Sequence, residues 1–241
     1  MLNIVIPMAG KGSRFSKEGY VLPKPLIDVK GKTMIERVIN NLKPNQAHKF
    51  IFVCQENHLK EYNLETIIAN STDNYEIVAI NTITDGAART VLMSKKYINN
   101  CNELMIANCD QYVDININDY LKEIKGKDGL IMTMPANDPK WSFIKYDESK
   151  RVTLVREKEV ISNEATVGIY NFSKGSDFVF FAEQMIKKNI KVNNEFYVAP
   201  VYNEMIENNM NIGFYDIGQS MYGLGTPADL KDFLLNFKKD I

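Results

Sequence analysis

Basic side chains crowd around two glycines near the start of the 241-residue chain. Gly10 and Gly12 flank Lys11, Arg14 follows, and Lys24 lies within Leu22-Pro23-Lys24-Pro25-Leu26. Glycines let the backbone turn sharply and approach a ligand, and their N–H groups can form an anion-binding nest. Arg14 can grip a phosphate through paired hydrogen bonds, and Lys24 can act as a point charge. The chemistry these residues imply is the holding of a polyphosphate. A dinucleotide fingerprint is excluded, because Phe15 stands where its third glycine belongs. A Walker A loop is excluded by spacing.

Further along, Asn81-Thr82-Ile83-Thr84-Asp85-Gly86-Ala87-Ala88-Arg89 follows an apolar run and opens a helix. Gly86 and Ala88 are small where a flat base would approach, and Asp85 suits the helix N-cap. Asp110 comes just past the apolar run 103–108. A carboxylate at that place can hold Mg²⁺ against phosphate oxygens. Asp114 and Asp119 read as turn and cap residues. Taken as residues alone, Glu157-Lys158 is a solvated charge pair and Gly168 a strand glycine at a bulge. His48 and His58 have no acid or cysteine at ligand spacing and read as surface residues, and Trp141 as core or pocket wall.

The elements that must position these groups follow from hydrophobic pattern. Residues 2–6, 50–54, 75–80 and 103–108 read as buried strands. Helices are expected over 34–42, where Thr33 and Glu36 form a capping box, over 57–69, and from Asp85 or Gly86 toward Tyr97. This alternation predicts an α/β fold with a mostly parallel sheet and helices on both faces, with ligands at the carboxyl ends of the strands. The second half is more mixed. Strands are expected over 130–134, 141–146, 152–155, 165–172 and 211–217. Helices are expected over 176–188, 197–208 and from Thr226 onward, with Pro227 at the first helical position. The chain reads as a single domain over 1–241, with a nucleotide-side half (1–128) and an acceptor-side half (129–241).

Composition narrows the class. At 45% hydrophobic residues the chain can bury a large core. A net charge of −1 gives no field for nucleic acid or an acidic membrane. Three cysteines, Cys54, Cys101 and Cys109, show no metal spacing and read as reduced thiols of a cytoplasmic chain. No signal segment or membrane-length apolar run is present in the sequence.

The string Pro7-Met8-Ala9-Gly10-x-Gly12-Ser13-Arg14-Phe15, with Pro23-Lys24-Pro25-Leu26-Ile27, resembles the signature of the nucleotidylyltransferases. That family joins a nucleoside triphosphate to a phosphorylated acceptor, mostly a sugar 1-phosphate, and releases pyrophosphate. The resemblance implies a Rossmann-like three-layer sandwich of the nucleotide-diphospho-sugar transferase type. It implies that Met8 to Ser13 wrap the triphosphate, that Arg14 contacts its phosphates, and that Lys24 neutralises charge near the α-phosphate. The family's base-reading Gln-x-x-x-Asp-Gly-x-Ala is matched by Asp85, Gly86 and Ala88, with Asn81 in place of the glutamine. Asp110 resembles the metal-binding aspartate, which implies Mg²⁺ as cofactor. Glu157-Lys158 resembles a Glu-Lys pair whose lysine holds the acceptor phosphate, and Gly168 falls where a strand glycine leaves room for the acceptor. Gly223 stands where many relatives carry a second metal-binding aspartate. Either the ion takes one protein ligand fewer, or another acid substitutes, Asp216 being the nearest candidate. Leu224-Gly225-Thr226-Pro227-x-Asp229-Leu230 is similar to the corresponding end in enzymes of capsule and surface-polysaccharide pathways, cytidylyltransferases among them. This implies CTP as donor and L-glutamine phosphate as an acceptor. UTP or dTTP with a sugar 1-phosphate stays open, as does a nucleotide-binding module without catalysis. The expected partners are a nucleoside triphosphate and a phosphorylated small molecule, with no nucleic acid and no membrane; a homo-oligomer is left open.

Overall fold

The structure, a computed structural model, describes residues 1–239; Asp240 and Ile241, at the end of the half expected over 129–241, lie outside the described residues. The chain begins with β1 (Leu2–Pro7), α1 (Ser13–Ser16), a 3-10 turn (Lys24–Leu26), β2 (Asp28–Val29), β3 (Lys32–Thr33) and α2 (Met34–Leu42). Next come β4 (His48–Gln55), α3 (Glu56–Tyr62), α4 (Leu64–Ala69), β5 (Tyr75–Ile80), α5 (Ala87–Leu92), α6 (Lys95–Ile98) and β6 (Glu103–Ala107). The second half opens with β7 (Gln111–Val113), α7 (Ile117–Lys122), β8 (Gly129–Pro135), β9 (Ser142–Tyr146), β10 (Val152–Glu157) and β11 (Glu164–Phe172). It ends with α8 (Gly175–Lys187), α9 (Val201–Glu207), β12 (Ile212–Asp216), β13 (Met221–Gly223) and α10 (Pro227–Asn236).

Nine strands form one sheet that takes members from both halves of the chain. β1 lies between β6 and β4 and runs parallel to both, and β5 continues the parallel set. Leu2 to Ile6 are buried, as expected of a continuous apolar run covered on both faces. The second half adds antiparallel strands to this frame. β11 pairs with β6 through Ile169–Phe172 and with β9 at Ala165, while β8 accompanies it on its other edge. The change of neighbour falls at Gly168, whose φ of +83° bends the strand. Asn108 N–H still donates to Gly168 O at 3.1 Å, so the bend opens beside the end of β6. The sheet is thus mixed, parallel where the first half builds it and antiparallel where the second half joins it.

Three expected helices begin, end or continue differently, and the one from Asp85 or Gly86 toward Tyr97 divides at Met93–Ser94 into α5 and α6. The helix over 57–69 is broken at Asn63, which adopts φ +52° and separates α3 from α4; asparagine tolerates that left-handed conformation. The helix expected from Tyr197 starts only at Val201. The backbone before it is committed elsewhere: Phe196 N–H donates to Asp85 O at 2.8 Å, and Ala88 N–H donates to Phe196 O at 3.0 Å. The capping box of α2 forms as expected, with Thr33 N–H donating to Glu36 Oε2 at 2.7 Å. His58 is buried rather than on the surface; its ring packs edge-on to Tyr62.

Buried side chains collect in two large clusters and one smaller one. In the smaller cluster Phe15, Ile27 and Met34 pack with Leu224, Leu230 and Phe233. It fastens the C-terminal helix under the glycine loop. Among the described residues no helix is long and apolar enough to cross a membrane.

Candidate active site

The glycine loop leaves the carboxyl end of β1. Met8 N–H donates to Val53 O at 2.8 Å, and Gln55 Nε2 donates to Ala9 O at 2.8 Å. Met8 and Ala9 are buried and anchor the loop from beneath. Gly12 turns the chain with φ +61°, and a Cβ there would stand 3.2 Å from Lys24 Cβ. Nothing stands within 4 Å of the Cβ position of Gly10. Lys11, Ser13, Gly10 and Gly12 line a cavity of about 530 Å³. Arg14, on α1, faces three adjoining cavities. Lys11 and Arg14 form no ion pair among the described residues, so both cations are available to an anion.

Lys24 and Asp110 meet at the centre of the cleft. The lysine ammonium donates to Asp110 Oδ2, with side-chain exposures of 18% and 25%. Burial works to lower the Lys24 pKa, but the Asp110 carboxylate outweighs it and holds the ammonium above its ordinary range. Lys24 therefore stays charged although it is poorly hydrated. Cys109, next to Asp110, is a buried thiol pushed up to about 12 by burial, which leaves it an inert packing group.

Asp216 does not join Asp110. It ends β12, where it is exposed and accepts a hydrogen bond from Gly218 N–H at 2.8 Å. The order β6, β11, β8, β12 separates the two strands by three positions, about 14 Å at ordinary strand spacing. The acid beside Asp110 is Asp229, in the first turn of α10. Asp110 Oδ2 and Asp229 Oδ2 lie 3.0 and 3.9 Å from where a Cβ on Gly225 would stand, so they are at most about 7 Å apart. Among the described residues no group of three or more acid, histidine or cysteine side chains is placed to hold a metal. Two carboxylates beside a phosphate-sized cavity nevertheless fit Mg²⁺, which keeps several waters and takes phosphate oxygens as further ligands.

On the base side the structure rearranges the expected roles. Gly86 has φ +118°, and a Cβ on it would lie 2.4 Å from Phe196 O. The glycine is required by the backbone of the 191–197 loop, and it also lines the cavity beside the glycine loop. Asp85 is occupied too: Arg89 Nε lies 2.7 Å and Lys191 Nζ 2.9 Å from its oxygens, which lowers its pKa, the Lys191 hydrogen bond contributing most. Arg89 and Lys191 both lie over the Phe196 ring. Ala88 is fully buried, and Ala87 lines the cavity in its place. Asn81 is exposed and lies outside that cavity, whose wall here is Ile83, Thr84 and Thr90. The Thr84 and Thr90 hydroxyls are 2.5 Å apart.

The residues expected to meet the acceptor line a second cavity of about 330 Å³, which includes Glu157, Lys158, Trp141 and Gly168. Lys158 has φ +56°, a conformation uncommon for a side-chain-bearing residue. Its N–H donates to Trp141 O at 3.0 Å, and its ammonium donates to the Tyr197 hydroxyl. That hydroxyl in turn donates to Glu195. Glu157 accepts from the Ser142 hydroxyl; burial raises its pKa against the opposing pull of Ser142 and Lys158. Gly168 lines the cavity, but the space its missing side chain leaves is filled: a Cβ would lie 2.2 Å from Asn108 Nδ2.

Glycine loop, Lys24, Asp110, Glu157 and Lys158 thus line one continuous cleft along the carboxyl edge of the sheet. Sequence reasoning missed Thr84, Glu195, Tyr197 and Asp229. Signals existed for two of these places. Asn193-Asn194, with φ of +50° and +62°, is a turn dipeptide that argues against a helix there. Thr226-x-x-Asp229 is a capping-box pattern, of which one half forms here: Asp229 N–H donates to Thr226 Oγ1 at 3.1 Å.

Comparison with known proteins identifies the family. The bifunctional protein GlmU of Methanococcus aeolicus is 27% identical over 251 residues, covering all of this chain and 56% of the relative. The chain thus spans about half the length of the curated relatives it matches. A nucleoside-diphosphate-sugar pyrophosphorylase from Vibrio cholerae superimposes with a TM-score of 0.83 at 26% identity, over 96% of this chain and 99% of that one. A UDP-glucose pyrophosphorylase solved with UDP-glucose shares the fold, with a TM-score of 0.82 at 15% identity and 98% of both chains covered. A profile described as nucleotidyl transferase matches residues 4–222. With that span including the glycine loop, Lys24, Asp110 and Lys158, the chain belongs to the nucleotidyl transferase family.

Proposed function

We propose that the chain is a Mg²⁺-dependent cytidylyltransferase, moving CMP from CTP to a phosphorylated small molecule and releasing pyrophosphate. The observation that carries this reading is the line of cations along one cleft. Lys11 lies at one end, Lys24 and Arg14 in the middle, and Lys158 at the other end. Two phosphate-bearing substrates repel each other, and cations at both ends and at the junction offset that repulsion. An acceptor phosphate oxygen attacks the α-phosphorus in line; a P–O bond forms and the bond to the β-phosphate breaks. Lys24 and Arg14 stabilise the charge that develops there, Lys158 holds the acceptor phosphate, and Glu157 its remaining polar groups. Positioning and charge stabilisation supply the catalysis, with no covalent enzyme intermediate. Mg²⁺ held by Asp110 would add charge neutralisation at the phosphate oxygens.

CTP and L-glutamine phosphate are assigned on the similarity of the 224–230 motif to CTP:phosphoglutamine cytidylyltransferases of capsule pathways. A sugar 1-phosphate with UTP or dTTP is the second reading. Glu157, Glu195 and Thr166 on the acceptor wall favour it, since they can accept hydrogen bonds from sugar hydroxyls. Pyrophosphate release from CTP, UTP, dTTP, ATP and GTP, each with L-glutamine phosphate and with sugar 1-phosphates, separates them. CTP is expected to exceed the others roughly five- to hundredfold, because the wrong pyrimidine leaves a buried polar group unpaired. Equal rates with UTP would reject the cytidylyl assignment, and no release from any pair would reject the enzyme reading.

A further inference from the structure

We propose that Asp229 supplies the second carboxylate of the divalent-cation site, in place of the acid that Gly223 lacks; the inference rests on the assignment of Asp110 to that cation. β13 pairs with β7 so that Gly223 stands directly opposite Gln111. Cross-strand partners project to the same face, so a side chain at 223 would enter the space that Gln111 faces. The Asp229 carboxyl carbon lies 3.5 Å from the position a Cβ on Gly223 would take. A carboxylate delivered from α10 therefore borders the very space that a residue on β13 would have filled.

Three features prepare that carboxylate. Thr226 Oγ1 donates to Asp229 Oδ2 at 2.7 Å, and Oδ1 makes no hydrogen bond among the described residues, so one carboxylate oxygen stays open to a cation. Asp110 likewise uses only Oδ2, toward Lys24. Gly225 stands between the two acids, and its missing side chain keeps the gap open. An independent observation points to a ligand there. Gln111 is 4% exposed, lines the cavity shared by Asp110 and Asp229, and leaves its Nε2 without an acceptor. A buried amide in that state needs a partner, and a phosphate oxygen bound in the cavity that Gln111 lines could supply one. Arg14 and Lys140 face the same cavity, so the pair of acids sits among cations and its negative charge is not in excess.

The test is Mn²⁺ binding to the whole protein, read from the electron paramagnetic resonance signal of free Mn²⁺. Asp229→Asn, which keeps an oxygen to accept from Thr226, is expected to weaken binding at least tenfold. Adding Gly223→Asp to it is expected to restore binding to within about threefold of wild type, since a Cβ at 223 meets only ordinary contacts. Thr226→Ala removes the cap and keeps the carboxylate, so it should lower the melting temperature and leave Mn²⁺ binding within about threefold. Should Asp229→Asn bind like wild type while Asp110→Asn loses binding, Asp229 is no ligand and the assignment of Asp110 stands. Wild-type binding in both variants would reject both. Equal losses in Thr226→Ala and Asp229→Asn would reduce Asp229 to a helix cap, and overturn the inference even if Asp229→Asn proves unstable.

Discussion

Lys24 and Asp110 neutralise each other at the point where the glycine loop, the end of β6 and the C-terminal motif converge. In the proposed reaction each would exchange its partner: the ammonium for a phosphate, the carboxylate for a metal ion.

Replacing Lys24 by alanine is expected to lower kcat about a hundredfold, the effect of losing one charge-stabilising contact, on the order of 3 kcal/mol. Arg14→Ala should behave similarly with almost no change in melting temperature, because Arg14 has no ion-pair partner among the described residues to lose. Steady-state pyrophosphate release checks both. Wild-type turnover in the two variants would remove the loop from the catalytic centre.

Asp110→Asn is expected to abolish stimulation by Mg²⁺ up to millimolar concentrations while nucleotide still binds weakly. An amide oxygen is a poorer ligand than a carboxylate for this ion. Asp216→Asn, made in parallel, should titrate with Mg²⁺ like wild type, given the three-strand separation from Asp110. An altered titration in Asp216→Asn alone would reverse this placement.

Gly10 and Gly86 should respond oppositely to alanine. At Gly86 a Cβ would collide with Phe196 backbone and the φ of +118° is hostile to side chains. A loss of about 3 kcal/mol or more is expected, combining strain and overpacking, with the 191–197 loop dislodged. At Gly10 the Cβ position is open, so stability should change by less than about 0.5 kcal/mol, with weaker triphosphate binding. Denaturant unfolding and nucleotide titration of the two variants make the comparison.

Glu157 gives a pH signature. Burial holds its carboxyl above the ordinary 4.5, so the folded protein binds this proton more tightly than the unfolded chain. The cost of ionising it in place is absent below that value, grows as pH rises toward the folded value, and is constant above it. Glu157→Gln removes the cost. Its melting temperature should match wild type near pH 4 and exceed it progressively as pH rises, while acceptor KM increases. A calorimetric difference that stays constant across pH would exclude this origin.

Much of the cleft was legible because local chemistry marks it. A glycine pair ending an apolar run and an acid following another each announce themselves within a few residues, and the sheet brings them to one edge. The rest depended on contacts distant in sequence. Gly86 looks like room for a base until Phe196 is seen to occupy that room. Glu195 and Tyr197 reach Lys158 from a loop whose position is set by Asp85 and Lys191. Asp229 hides behind its capping role. Asp216 fails because strand order, which periodicity does not carry, decides lateral distance.

The small cluster of Phe15, Met34, Leu224 and Phe233 also orders events during synthesis. Until α10 emerges from the ribosome, the apolar underside of the glycine loop has no cover, and the acid of α10 is missing from the cleft. Long-range contacts of this kind form late because their loop closure must come first. The apolar underside of the glycine loop therefore gains its cover only once α10 has been made and has docked against it.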